Sequence, residues 1–584
     1  MRINKILLLI IILVSTSALF GQRGNGDTLE TKGDVIIFKT YEPRISDAFK
    51  LSDVPKIIDT VIKINNNVPY DVKSKRALTT FEPKPIRPAK MKGEPLNKLY
   101  KAYALVGIGN YLTTNAELVV NNTRSRKWDY GFSAYHHGSK GSVKDRGYSG
   151  FTDNNFKVYG KKFFFNKIAS GQLKYDLNSL HKYGFDPATI SSTPVLDDSL
   201  DKKSIAQNFQ NIEPSLRFKT YFKDSNELNY DINLKYYHYW DKAKSSEDNI
   251  LVNATVDRYI NKEFGQVDLW LDINNFKYTR SDIFLNEAST IFGLAPSVIT
   301  GKENWKLKIG ADIVFSNGGR QNFYIYPNLY FKYDLVKDII IPYVGAKGGL
   351  KRNNFKSLTQ LNPFIISDPI TGNENTKINL YGGVRGELAS NLSFNVSAGY
   401  RVVEDLALFI NKPDSVGGFA INNEFNVRYD DANITSFSAE LGYQKIKDFS
   451  FLLKGEYFIY SMNNQKAAWH MPNVKISFNG RYNIGHKVTL TADIFFIGER
   501  TARTNDPIGT ENLGGGVYGV KLDPLIDLNL GVEYYFSRRW TAFARFYNIA
   551  NSRYAIYYEY PQQGITIMGG MTYKFWQPKK RSKK

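Results

Sequence analysis

The chain has 584 residues and a formal net charge of +21, and although 42% of its residues are hydrophobic its mean hydropathy is only −0.37. A helical membrane protein would contain runs of about 20 apolar residues, and no such run follows the amino terminus. The absence of cysteine excludes a disulfide framework, a thiolate metal site and a lipidated cysteine anchor. The 39 tyrosines and 38 phenylalanines instead suit amphipathic strands, whose apolar and polar residues alternate so that the average looks polar.

The amino terminus has the pattern of a secretory signal. Two basic residues, Arg2 and Lys5, precede an uninterrupted apolar stretch over residues 6–14, and small residues suitable for cleavage follow. We therefore predict a cleaved signal peptide over residues 1–21 and export from the cytoplasm.

Residues 22–97 form a basic, proline-rich segment. Its prolines favour an extended polyproline conformation over a packed fold. The prolines concerned are Pro83, Pro85, Pro88 and Pro95. Two interpretations stay open for this segment: a periplasmic leader, or a stretch that occupies part of the lumen of the barrel predicted next.

From residue 98 to residue 576 the chain alternates between strands with a period of two and two kinds of connection. Short turns are predicted at residues 123–126, 165–167, 223–226, 261–263, 301–304, 336–338, 389–391, 446–448, 483–486 and 537–539. Longer polar loops are predicted at residues 178–204, 281–289, 351–375, 404–420, 498–522 and 548–563. The pattern predicts an all-β fold, a transmembrane antiparallel β-barrel of about 22 strands with short periplasmic turns and long extracellular loops.

One strand shows the expected facing most clearly. Phe394 and Val396 alternate with Ser393, Asn395 and Ser397. Because successive side chains of a strand point to opposite faces, the first pair is predicted to face lipid and the other three a hydrated lumen.

The last strand also carries a candidate assembly signal. Gly570, Tyr573 and Phe575 form a glycine-x-x-aromatic-x-aromatic pattern, similar to the signal that the bacterial barrel-assembly machinery recognises. Aromatic residues of an interfacial girdle would fit the same positions. A basic tail, residues 577–584, extends beyond the pattern.

Three stretches near the carboxyl terminus resemble a known family. Residues 528–536 read Leu-Asn-Leu-Gly-Val-Glu-Tyr-Tyr-Phe, residues 546–554 read Phe-Tyr-Asn-Ile-Ala-Asn-Ser-Arg-Tyr, and residues 560–564 read Tyr-Pro-Gln-Gln-Gly. Together they are similar to the terminal hairpins of TonB-dependent receptors. The resemblance implies the same number of strands as the turns do, and transport across the outer membrane of a Gram-negative bacterium.

Members of that family carry a folded plug domain inside the barrel. Residues 22–97 are too few for such a domain and lack its glycine and arginine pattern. The expectation is therefore a plugless relative, of the type common in the Bacteroidota.

Basic residues also occur at positions that the alternation assigns to the lumen. These candidate lumen-facing residues are Lys454, Lys475, Arg481, Arg545 and Lys574. A positive lumen would concentrate anionic solutes, so an anionic cargo is one possibility. The alternative is that the excess positive charge binds lipid phosphates.

No catalytic motif stands out. His136 and His137 are adjacent, so on a strand they point to opposite faces and cannot both bind one metal ion. We expect no enzyme activity, no cofactor and no nucleic-acid partner. Transport is the favoured function, with outer-membrane lipid and the barrel-assembly machinery as partners. The alternative is an accessory barrel that holds periplasmic or lipoprotein partners in an envelope or secretion complex.

Overall fold

The computed structural model describes residues 99–122, 125–141, 143–187, 201–221, 227–412, 414–416, 419–421, 423–445, 448–504, 510–514 and 517–576. The predicted signal peptide, the proline-rich segment and the basic tail lie outside the described residues.

The described part of the chain is built almost entirely of antiparallel strands. In chain order they are β1 Ala102–Gly109, β2 Thr113–Asn121, β3 Trp128–Ser139, β4 Phe151–Phe163, β5 Lys167–His181, β6 Ala206–Thr220, β7 Asn229–Asp241, β8 Ser246–Ile260, β9 Glu263–Arg280, β10 Ile283–Lys302, β11 Trp305–Ser316, β12 Phe323–Tyr333, β13 Ile341–Asn353, β14 Gly372–Ala389, β15 Leu392–Asn411, β16 Asp414–Val416, β17 Phe419–Ile421, β18 Phe425–Lys445, β19 Phe449–Met462, β20 Val474–Ile484, β21 Val488–Ile497, β22 Arg500–Thr504, β23 Glu511–Asn512, β24 Tyr518–Leu522, β25 Leu525–Tyr535, β26 Trp540–Tyr547, β27 Ala555–Tyr557, β28 Tyr560–Pro561 and β29 Thr566–Phe575. The described residues also include an α-helix, α1 Phe355–Leu361, and a 3-10 turn, Asn110–Leu112.

Twenty-two of these strands form one sheet that closes on itself. Each barrel strand pairs antiparallel with the next one along the chain, and the last strand, β29, pairs with the first, β1, in a register that joins Val106 to Met571. Closure leaves no unpaired sheet edge, which is what a lipid environment requires of a β-structure. The predicted strand number and antiparallel barrel are confirmed.

The two faces of the wall differ in polarity. On the outer face large apolar side chains are exposed, for example Val106 at 60% and Val396 at 54%. The opposite face of the same strand β15 carries Ser393, Asn395 and Ser397. An apolar outer band around a polar interior is the arrangement of a transmembrane barrel. Among the described residues, no helix is long and apolar enough to cross a membrane.

The two ends of the barrel carry different connections. We call the end where β1 begins and β29 finishes the terminal end, and the opposite end the distal end. All ten predicted short turns fall between strands that meet at the terminal end. The distal connections include α1 and the three small sheets formed by β16–β17, β22–β24 and β27–β28.

Two of the predicted loops are wrong in extent. Residues 281–289 do not form a loop, because β9 and β10 pair continuously up to a turn of only Ser281 and Asp282. Both of those residues have positive φ, 49° and 63°, as a tight two-residue hairpin turn needs. The loop predicted from residue 404 begins only after Asn411, because β15 continues past a bulge between Val403 and Leu406.

Candidate functional site

The lumen wall is the first part of the candidate site, and it contains the five basic residues singled out in the sequence. All five lie on strand faces opposite the apolar one. Lys454 is balanced by two carboxylates, since its Nζ lies 3.1 Å from Glu456 and 3.3 Å from Glu440. Lys475 faces Glu456 in the strand register, and Arg481 faces Ser450.

The other two basic residues lie over aromatic rings of the same wall. The Arg545 guanidinium carbon is 4.8 Å from the ring centre of Phe543, and Lys574 Nζ is 5.9 Å from that of Tyr535. Cation–π contacts of this kind fix the direction of a long basic side chain. The five residues follow β19, β20, β26 and β29 and do not converge on one point.

The residues of the predicted assembly signal lie on both faces of β29. Tyr573 and Phe575 stack on the outer face, with ring centres 5.7 Å apart, and Tyr573 also contacts Trp540 at 4.3 Å. Gly570 belongs to the lumen face, where an added Cβ would come within 2.3 Å of the Val106 carbonyl oxygen on β1 and within 2.4 Å of the Phe543 ring. A side chain there would clash with the backbone of the neighbouring strand as well as with the ring. Recognition by an assembly machinery stays a prediction.

The second part of the candidate site is a layer of distal connections that meet one another across the mouth. We call it the cap. Its members are the described residues of the connections at 140–150, 182–205, 354–371, 412–424, 463–473, 498–524 and 548–565. Some of these connections leave the ring on opposite sides, so their contacts require them to reach over the opening.

The centre of the cap is a cluster of aromatic rings from three connections. Phe364 and Tyr560 stack with ring centres 3.6 Å apart, and Tyr183 meets both of them edge-on at 5.8 and 4.9 Å. Tyr560 is 1% exposed. A Cβ added at Gly184 would fall 2.6 Å from the Tyr560 ring, so only glycine lets the chain pass this closely. The cluster is a hydrophobic core built outside the barrel wall.

Polar bonds extend this core across the mouth. The Tyr560 hydroxyl donates to the Asn423 carbonyl at 2.5 Å, and the Tyr557 hydroxyl donates to the Leu361 carbonyl at 2.6 Å. Between them they join the connection at 548–565 to those at 412–424 and 354–371.

An ion pair also joins two connections across the mouth of the barrel. Lys182, next to β5, lies 2.6 Å from Glu424, next to β18 on the other side of the ring. Burial alone would raise the pKa of the Glu424 carboxyl, but the neighbouring Lys182 and Lys412 outweigh it and lower that pKa. The carboxylate is therefore charged at neutral pH, and it draws two connections together.

Helix α1 turns inward from the connection at 354–371 and packs on the lumen face of the wall. Its Phe355 is fully buried and stacks on Phe276 at 5.1 Å. The Phe355 backbone N–H donates to Glu247 Oε2 at 2.7 Å. Glu247 and Phe276 are partners in the β8–β9 register, on the face opposite the exposed Ile250 and Ile273. The helix therefore occupies lumen space below the cap.

Local sequence explains why so short a helix forms. Asn354 and Ser357 make a capping box, with reciprocal side-chain to backbone bonds of 2.9 Å. The Lys356 ammonium reaches Glu213 at 2.9 Å, and Thr359 meets the Tyr239 hydroxyl at 2.7 Å. Burial lowers the pKa of Lys356 even though Glu213 opposes this. Tertiary contacts, rather than length, hold the helix.

A buried histidine links two connections of the cap to the distal end of β15. The His470 ring has one nitrogen, Nδ1, 3.0 Å from the Phe409 carbonyl, while the other, Nε2, accepts the Tyr558 N–H at 3.3 Å. This arrangement needs the neutral tautomer with its proton on Nδ1. Burial, helped by the nearby Arg500 and opposed by the bond to Phe409, lowers the pKa of His470 to about 4.

The cap could not be predicted from the sequence. Tyr183 and Tyr560, or Lys182 and Glu424, are far apart in the chain. Tyr183, Lys182 and Tyr560 lie in segments that the sequence identifies only as polar loops, and Glu424 lies just beyond the loop predicted at 404–420. The available signal was local: aromatic residues such as Phe364 and Tyr557 lie inside predicted loops, where no strand needs them.

Several solved structures have the same barrel fold. The siderophore receptor PirA from Acinetobacter baumannii superposes with a TM-score of 0.62 and 11% identity, over 82% of this chain and 81% of that one. The FrpB iron transporter from Neisseria meningitidis gives 0.61 and 9% identity, over 82% of each chain. The pyoverdine receptor FpvA from Pseudomonas aeruginosa PAO1 gives 0.59 and 11% identity, over 82% and 79%.

These similarities define the class of fold, a barrel of the kind seen in outer-membrane receptors for siderophores, and the sequence-based resemblance to TonB-dependent receptors is confirmed at the level of fold. No protein-family model matches the sequence. No curated protein matches it either.

Proposed function

We propose that this chain is an outer-membrane transport protein, in which hydrophilic solutes pass through the lumen and the cap controls their entry. The observation that carries the proposal is the combination of a polar lumen with a mouth crossed by connections from opposite sides of the ring, above all the stack of Phe364 on Tyr560. A barrier made of loops can open while the wall stays paired.

The comparisons support the same class of function. The solved structures named above are siderophore receptors and an iron transporter, and all share this barrel fold. We propose accordingly that the terminal end faces the periplasm and the cap faces the outside, as the predicted turn lengths suggest. We keep the expectation that residues 22–97 do not form a full plug, and we assign control of entry to the cap.

Conductance of the purified full-length protein in a planar bilayer tests this proposal. The wild type should show little current, and Phe364→Ala, which removes one side of the central stack, should raise the open-channel current severalfold. Phe165→Ala is the matched control, because Phe165 is 97% exposed in a terminal-end turn and touches no part of the cap.

Two outcomes would contradict the proposal. One is a wild-type current that Phe364→Ala leaves unchanged, which would overturn control of entry by the cap while leaving passage through the lumen. The other is the absence of current from both proteins together with stable co-purification of a partner, which would favour the accessory barrel predicted as the alternative. Neither outcome needs knowledge of the solute.

A further inference from the structure

We propose that the lumen face of β4–β7 carries a binding site for oxyanions with two or more negative charges, such as solutes that bear a phosphate group. We call it the basic recess. The inference rests on the transport function proposed above and names the solute class that the lumen would take. It concerns a different part of the wall from the basic residues predicted in the sequence.

The recess is a shallow cavity of about 350 Å³ near the terminal end. Its base is a row of residues across four strands, in which Lys161 faces Ser170, Ser170 faces Arg217 and Arg217 faces Asn233. One step further from the terminal end a second row places Tyr159 beside Gln172 and Gln172 beside Ser215. The volume is at the lower end of the range for small-molecule sites.

Charge is the first argument. Three cations, Lys157, Lys161 and Arg217, line the recess, and no carboxylate does among the residues that the structure describes. In the strand register Lys157 stands between Ser133 and Lys174, and within the described part of the chain it makes no ion pair. Among the described residues, one carboxylate pairs with Lys161, one with Arg217 and none with Lys157. The recess therefore keeps a net positive charge, which favours a bound anion.

The two carboxylates nearby lie at the borders of the recess rather than in it. Asp129 on β3 pairs with Lys161 at 3.1 Å, and Asp231 on β7 pairs with the Nε of Arg217 at 2.7 Å. The side chains of both cations are nearly half exposed, 44% and 45%. The single contact between Lys161 and Asp129 is of the exposed kind that contributes little stability, so Lys161 can turn towards an anion at low cost. Arg217 donates to both oxygens of Asp231, through Nε and Nη2, and stays in place. Its remaining N–H groups can donate to an anion.

Neutral donors complete the site. The amide groups of Gln172 and Asn233 and the hydroxyls of two serines line the same cavity. A phosphate group offers several oxygens, which charged and neutral donors can satisfy together. The Tyr159 ring lies 6.0 Å from Lys157 and 5.2 Å from Lys161, which holds both ammonium groups at the edge of the recess.

Calorimetric titration of the full-length protein in detergent with inorganic phosphate tests the site. Saturable binding should appear at low ionic strength and weaken as salt is added. Lys157→Gln and Arg217→Gln should each lower the affinity at least tenfold, and acetate, with its single charge, should bind at least tenfold more weakly than phosphate. The matched control is Lys162→Gln, since Lys162 lies on the same strand with its ammonium over the outer-face Trp128 ring.

Gel mobility before and after heating confirms that each variant is a folded barrel. The inference is wrong if phosphate gives no saturable heat, or if both lumen variants bind it as the wild type does. Conductance separates this failure from that of the proposed function. If the barrel conducts but does not bind phosphate, only the proposed oxyanion site is wrong. If phosphate binds but the Phe364→Ala variant does not conduct, only the proposed transport function is wrong.

Discussion

The barrel wall and the cap are stabilised by different kinds of interaction. In the wall, every strand forms backbone ladders with neighbours on both sides, and the ring closes through β1 and β29. In the cap, side chains from distant segments meet through a few rings and single bonds, such as Tyr560 with Phe364 and Lys182 with Glu424. The difference teaches that the cap can loosen locally while the wall remains intact, because the ladders do not depend on it.

The largest effect is expected from removing the centre of the cap. Tyr560→Ala deletes a ring that is 1% exposed, and loss of such a ring costs about 3–5 kcal/mol. Amide hydrogen exchange should speed up in the connections at 354–371 and 548–565 and stay slow in the wall strands. If the exchange rate in the cap does not rise, or rises equally in the cap and the wall, the two regions are not stabilised independently.

A charge on the outer face should damage the wall instead. Val396→Arg places a guanidinium at an exposed apolar position on the outer face of β15. Such a charge costs about 2–4 kcal/mol near the bilayer midplane. The amount of heat-modifiable, folded barrel should fall. Ser397→Arg is the control, because its side chain enters the lumen and should leave the yield unchanged. Equal losses would overturn the assignment of the two faces.

Acid should loosen the cap through His470. Its pKa is lowered from an ordinary 6.5 to about 4, so the folded cap excludes a proton that the unfolded chain binds. The stabilisation is complete above pH 6.5 and falls by up to about 3 kcal/mol as the pH drops towards 4. Proteolysis of the cap should accelerate over this window in the wild type. His470→Gln, which keeps a donor and an acceptor but cannot titrate, should remove that acceleration above pH 5.

The smallest of these effects belongs to the ion pair across the mouth. Lys182→Ala should destabilise the cap by about 1–2 kcal/mol, since Glu424 keeps its second cation, Lys412, at 3.1 Å. Because the pKa of Glu424 is lowered, the contribution of the pair is present at neutral pH and is lost as the pH falls below the usual carboxyl range. Amide hydrogen exchange near residue 424 should therefore speed up in the variant. An unchanged exchange rate would show that the ion pair does not stabilise the cap.

Strand alternation explains why the wall could be predicted and the cap could not. A period of two is local, so β15 and its neighbours follow from the order of apolar and polar residues. The type of a turn is harder to predict. The polar residues around Ser281 favour a loop, but Ser281 and Asp282 both have positive φ and form a tight two-residue turn. The contacts of Tyr560 and of α1 depend on segments that come together only once the barrel has closed, and no local pattern specifies them.

The basic recess illustrates the same limit for the lumen. Lys157 and Arg217 alternate with apolar residues like any other inward positions of the wall, and Lys161 is followed by a second lysine that points outward. What singles them out is the register that places β4–β7 side by side and leaves the nearest carboxylates at the borders. The charge of a single strand can be predicted from the sequence. The charge of a site formed by several strands can be predicted only when the register between those strands is known.

Movement of the cap can be tested most directly with a reversible cross-link across the mouth. The chain has no cysteine, so Lys182→Cys combined with Glu424→Cys supplies the only two thiols, and a reducible bifunctional thiol reagent can join them. Flux of a neutral sugar into proteoliposomes should fall to the background of empty vesicles when the two sites are joined, and should recover on reduction. The two single-cysteine variants treated in the same way should keep their flux. Flux that the cross-link leaves unchanged would contradict the claim that solutes enter by movement of the cap.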